Sequence, residues 1–116
     1  MPEARELLPA AAQDPLLDLA HTRLSACPLA AQSDLLACLA HLRVMRRGSD
    51  EQTQSIAALD RHHAKVISMG SKGLERHEDR ALSLMTMAIT AMRDNTPSSN
   101  AQAERTLRQI RHPLAV

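Results

Sequence analysis

Six histidines in a chain that contains no Phe, Trp or Tyr are the first residues to examine for chemistry. Helical ligands converge on a metal ion only when they recur at three or four residue steps. Asp60 and His63 meet that spacing and form one half of a carboxylate-histidine site of the kind found in helix bundles. A second half is missing, and no His-x-x-x-His pair occurs anywhere in the chain. No metal is therefore expected. His63 reads as a core histidine whose ring nitrogens are hydrogen-bonded, with a second role open to it as a switch at mildly acidic pH. His62 and His77 are placed on helix flanks.

His62, followed by Lys65 three residues later, resembles the exposed histidine of histidine phosphotransfer domains, a likeness that implies a phosphorylated imidazole on a bundle helix. Those domains carry a glycine after the lysine to admit a partner, and here that position is Val66. The run Met69-Gly70-Ser71-Lys72-Gly73 offers two glycines and a lysine near a helix start, the ingredients of a phosphate cradle. It lacks the GxxxxGK[ST] spacing and a preceding strand, so it reads as an interhelical turn. Nucleophile chemistry has no GxSxG elbow, and Cys27 and Cys38 fall on a helix junction and an apolar stripe, where they act as small hydrophobes. Glu75 and Asp79 interleave with Arg76 and Arg80 in the manner of a solvated, salt-bridged helix face. Neither an enzyme nor a cofactor is expected.

The arginines are the remaining chemistry. Residues 1–58 hold five basic and seven acidic side chains, whereas residues 59–116 hold nine and six, so the C-terminal half carries a charge of +3. Arg105, Arg108 and Arg111 recur every three residues on the last predicted helix, and with Arg61 and Lys65 they are candidate phosphate contacts for a nucleic acid. The segment Leu59 to Ile67 resembles the signature of the DnaA initiator's helix-turn-helix domain at Arg61, His63 and Val66, which implies duplex recognition. The turn glycine is missing before the arginine, His62 replaces an acid, and Ala64 and Lys65 replace two threonines. The segment thus reads as one continuous helix.

Composition sets the outer bounds. At 116 residues, 44 % hydrophobic and 23 % charged, the chain suits one globular domain, and a formal charge of +1 argues against binding polyanions by bulk charge alone. Without aromatics there is no base-stacking platform, no aromatic cage for quaternary amines and no tyrosine chemistry. The core must come from Leu, Ala, Met, Ile and Val, so modest monomer stability or further burial against a partner is expected. Two cysteines outside any CxxC pair suit a reducing cytoplasm, and no 18-residue apolar run or export leader is apparent.

The elements that must position these residues are all helical. A loosely ordered arm is predicted over 1–13, a single helical domain over 14–112 and a tail over 113–116. Asp14 and Pro15 cap and open a first helix with Leu16, Leu17, Ala20 and Leu24 on one stripe, and Pro28 ends it and begins the next. That second helix carries Leu35, Cys38, Leu39 and Leu42, stops at Gly48, and places Arg43, Arg46 and Arg47 where they complement the helix dipole. A capping box from Ser49 to Gln52 starts the third, whose stripe is Ile56, Leu59, His63 and Val66 with Ile67 beside it, up to Gly70. The fourth has the strongest pattern, a heptad-like seam of Leu74, Ala81, Leu82, Met85, Ile89 and Met92, ended by Asn95, Thr96 and Pro97. Ser99 and Gln102 form a second capping box before a last helix with Ala103, Leu107 and Ile110, closed by His112 and Pro113.

The predicted architecture is all-α: a compact bundle of four to five amphipathic helices around a long central hairpin of residues 50–69 and 73–93. The expected function is that of a small non-enzymatic protein-protein interaction module of bacterial or phage type, an adaptor, inhibitor, chaperone or secretion-associated factor. Its partner would be another protein or a second copy of itself, held on the apolar face of Leu74, Leu82, Met85, Ile89 and Met92. The alternative is a dimeric helical DNA-binding regulator that uses Arg61, Lys65, Arg105, Arg108 and Arg111. No membrane partner is expected.

Overall fold

A computed structural model describes residues 14–47, 52–69 and 74–111 of the chain. Those residues form α1 (Pro15–Arg23), α2 (Leu29–Arg47), α3 (Gln52–Met69), α4 (Arg76–Asp94) and α5 (Pro97–Arg108), with a 3-10 turn at Leu24–Ala26 and no strand among them. The all-α bundle is thus the architecture of the chain. The arm expected over 1–13, the tail over 113–116, the Gly48 stop, the box residue Ser49, the Gly70–Gly73 link and the closure at His112 and Pro113 lie outside the described residues.

Local chemistry explains most helix ends. Asp14 holds an extended backbone and its Oδ1 accepts from the amides of Leu16 and Leu17, with Pro15 in the first turn where a missing N–H costs nothing. Asn95 ends α4 in the left-handed region at φ 50°, a conformation open to Asn through its short polar side chain. Thr96 then caps α5, accepting from the Ser99 amide at 3.0 Å while Ser99 Oγ accepts from the Thr96 amide at 2.9 Å. The capping box therefore begins at Thr96, three residues before the expected Ser99, because Pro97 opens α5 instead of only ending α4. The last helix also ends earlier, at Arg108, and a turn carries the chain through Gln109 and Ile110.

The core is aliphatic and continuous. Leu35, Cys38, Leu39 and Leu42 of α2 meet Leu82, Met85, Ala88, Ile89 and Met92 of α4, with Leu17, Ala20, Leu59, Val66 and Leu107 closing it. The pairing of helices differs from the expected central hairpin. The extensive interfaces join α2 to α3 and α4 to α5, while α3 and α4 touch only briefly. The reason lies in the facing residues. Toward α2, α3 presents the small side chains Ser55 and Ala58, which allow close approach, whereas toward α4 it places Asp60 against Arg93 and His63 against the Thr86 backbone. Ile67, expected beside the α3 stripe, is 60 % exposed.

Arg46 ties the bundle together at one end. Its Nε donates to Asp14 Oδ2 at 2.7 Å, and its Nη1 donates to the Met92 carbonyl and to Asn100 Oδ1, both at 2.9 Å. The start of α1, the end of α4 and the start of α5 thus share one guanidinium from α2. Arg46 was expected only to complement its own helix dipole, and the structure gives it this tethering role as well.

Candidate functional site

The expected docking face is the first residue set to place. Leu82, Met85, Ile89 and Met92 are buried to within 2 % and Leu74 is partly buried against the same core, so no partner can reach this seam in the folded monomer. The correction has a simple cause: in a domain without aromatics, every large aliphatic stripe is needed for the core. Helix α4 lies against α1's turn, α2, α3 and α5, which together cover its apolar face.

The basic residues divide into two groups. Arg61 and Lys65 are exposed on α3, and Arg105, Arg108 and Arg111 are exposed on or just after α5. On α4, Arg93 and Thr86 face α3, while Leu84 and Ala91 border cavities shared with α5. Residues 91 and 93 stand about 200° apart on a helical wheel, so α3 and α5 flank α4 on opposite sides. The five cations singled out from the sequence therefore do not form one strip.

Two of them do converge with cations that sequence reasoning passed over. A cavity of about 450 Å³ lies between the first turns of α4 and the end of α5. His77, Arg80, Arg108 and Arg111 rim it, and Ala81, Leu84 and Ile110 supply an aliphatic floor. The expected ladder of Glu75 and Asp79 with Arg76 and Arg80 is not formed. Among the described residues neither Arg80 nor Arg111 has an ion-pair partner, and Arg108 has only the exposed Glu104 at 3.7 Å. In the sequence His77 is legible only as a flank residue and Arg80 only as part of a solvated helix face, since their meeting with Arg108 and Arg111 depends on how α5 folds back on α4.

The other histidines and the cysteines have structural surroundings. His62 Nδ1 lies 2.7 Å from Asp34 Oδ1, and its ring stacks on that of His41, so the imidazole of the His62 and Lys65 pair faces α2. Asp60 is engaged by Arg93 at 2.6 Å, and among the described residues no three His, Cys, Asp or Glu side chains are grouped to hold a metal. His63 is buried with its Nε2 unpartnered, where the sequence reading had both ring nitrogens bonded. Burial lowers its pKa, Arg93 adds to that effect, and Asp60 and the Thr86 backbone oppose it. Burial pushes the Cys27 thiol up to about 12, helped by Glu78, and the Cys38 thiol up to about 11, helped by Asp34. Both cysteines are free and buried, and both are held as unreactive thiols.

Among the described residues no helix is long and apolar enough to cross a membrane. Comparison with protein-family profiles, with curated proteins and with solved structures gives no match.

Proposed function

We propose that this chain is a non-enzymatic protein-interaction module whose docking site is the basic cavity between α4 and α5, and whose partner presents an acidic segment. The observation that carries this reading is the convergence of His77, Arg80, Arg108 and Arg111 over an aliphatic floor. Like charges gathered at one place repel one another, and a carboxylate-bearing ligand relieves that repulsion. A role as adaptor, inhibitor, chaperone or secretion-associated factor is compatible with a site of this kind, and the two free thiols favour a reducing cytoplasm.

Titration calorimetry of the full chain with an eight-residue peptide of alternating Glu and Leu tests the reading. Micromolar binding that weakens at least tenfold in the Arg80→Glu, Arg111→Glu double variant supports it, as does failure of the same peptide with Lys in place of Glu. A peptide that does not bind overturns it. Tighter binding to a duplex, lost when Arg105, Arg108 and Arg111 become alanine, would replace it with the DNA-binding regulator.

A further inference from the structure

The α4 residues that line the basic cavity belong to a longer stripe. His77, Arg80, Leu84, Met87, Ala91 and Asp94 follow one another at alternating three and four residue steps, which places them along one flank of the helix. The first three border the basic cavity, and the last three border a second cavity of about 280 Å³ toward the other end of α4. On α5 and the turn after it the matching residues run in the opposite direction, Gln109 and Ile110 at the basic cavity and Ser99 and Gln102 at the second. Antiparallel packing of α4 and α5 sets the two cavities along one flank of the helix pair, one toward each end, and Met87, 53 % exposed, lines the second on the side facing the first.

Resting on the reading proposed above, we infer that the whole α4–α5 groove receives a single amphipathic helix of the partner protein, with its acidic end over the basic cavity and its apolar middle over Met87. Length, pattern and charge each argue for this occupant. From residue 77 to residue 94 the stripe rises about 26 Å, the span of a helix of about 17 residues. Its alternating three and four residue steps are the spacing at which one helix seats the side chains of another. Its chemistry changes along the way: cationic at Arg80, apolar at Leu84, Met87 and Ala91, and anionic at Asp94. A ligand of the same graded chemistry in complementary sign fixes its register, and the arginines of the basic cavity set the end at which its carboxylates lie.

The probe is a 17-residue helical peptide with Glu in its first five positions and Leu at three and four residue steps through its middle, compared with the eight-residue acidic peptide. Amide and methyl shifts of the full chain are followed by NMR, and affinities by calorimetry. The expected result is that the long peptide perturbs Leu84 and Gln109 together with Met87, Ala91 and Gln102, and binds at least tenfold more tightly than the short one. Met87→Glu should remove that gain, without changing the denaturation midpoint or the affinity for the short peptide. Equal affinities, or perturbation confined to the basic cavity, overturn the groove while leaving the acidic docking site standing. Binding of neither peptide overturns both. Equal affinity for a long peptide with its Glu residues moved to the middle and Leu at both ends overturns the placement of the acidic end over the basic cavity.

Discussion

Two ion pairs of nearly equal length show how little distance alone says about energy. Arg93 meets Asp60 at 2.6 Å, but the Asp60 side chain is 55 % exposed, so water screens the pair and Arg93→Ala is expected to cost less than about 1 kcal/mol. Arg46 meets Asp14 at 2.7 Å with both side chains largely buried, and the same guanidinium serves the Met92 carbonyl and Asn100. Removing it leaves a poorly solvated carboxylate and an unpaired carbonyl, so Arg46→Ala should cost about 2–4 kcal/mol by urea denaturation, and Arg46→Lys should recover only part of that. Equal midpoints for the Arg46 and Arg93 variants would refute the distinction. His63 supplies a pH dependence whose sign follows from burial. Its folded-state pKa lies below the ordinary value of 6.5, so the unfolded chain binds more protons, and stability is complete above about 6.5 and is lost as the pH falls below it. With Nε2 unpartnered, His63→Leu should flatten the denaturation midpoint between pH 7 and pH 5 without lowering it at pH 7. A slope unchanged by the substitution would assign the acid sensitivity to other groups.

At the scale of the helix, the seam of α4 was plain in the sequence because a three and four residue recurrence of Ala81, Leu82, Met85, Ile89 and Met92 admits only one buried face. What that face packs against was not legible. A stripe of Leu and Met looks the same whether it meets its own core or a partner, and only the placement of α2 and α5 decides the matter. The same limit applies to Arg80, which follows Glu78 and Asp79 in the sequence but finds no ion pair among the described residues once α4 is set in place. The choice of α2 and α5 as the closest partners of α3 and α4 also escaped pattern reading, because it turns on small residues such as Ser55 and Ala58, which carry little periodic signal. Caps are legible where proline and an acid stand together, as at Asp14 and Pro15, and are misplaced where the box closes on a serine instead of Glu or Gln, as at Thr96 and Ser99. Two substitutions check these assignments by chemical denaturation. Ile89→Ala should cost about 2–5 kcal/mol as a core cavity, and Thr96→Ala about 1 kcal/mol as a lost cap. A mild effect of Ile89→Ala would mean that the seam is open to solvent after all.

For the molecule as a whole, the uneven distribution of interfaces predicts uneven stability. Helix α4 packs on α2, α3, α5 and the 3-10 turn, and eight of its residues are buried, whereas α3 is held chiefly by α2 and meets α4 over a small interface that includes the Arg93–Asp60 pair. Local opening costs least where the fewest apolar contacts are broken, so α3 can detach from α4 while α4 and α5 stay together. Native-state hydrogen exchange should therefore find the amides of residues 82–92 exchanging only through global unfolding, and those of residues 60–67 through a smaller opening. The difference should widen below about pH 6.5, because a proton on the buried His63 beside Arg93 weighs on the α3 contact and on nothing in the α4–α5 pair. The functional consequence is that the groove between α4 and α5 rests on the most persistent part of the bundle, so its cations and aliphatic floor hold their geometry before a partner arrives. If α3 and α4 showed the same protection and the same response to pH, the bundle would open as one unit, and the groove would have no greater order than the rest of the chain.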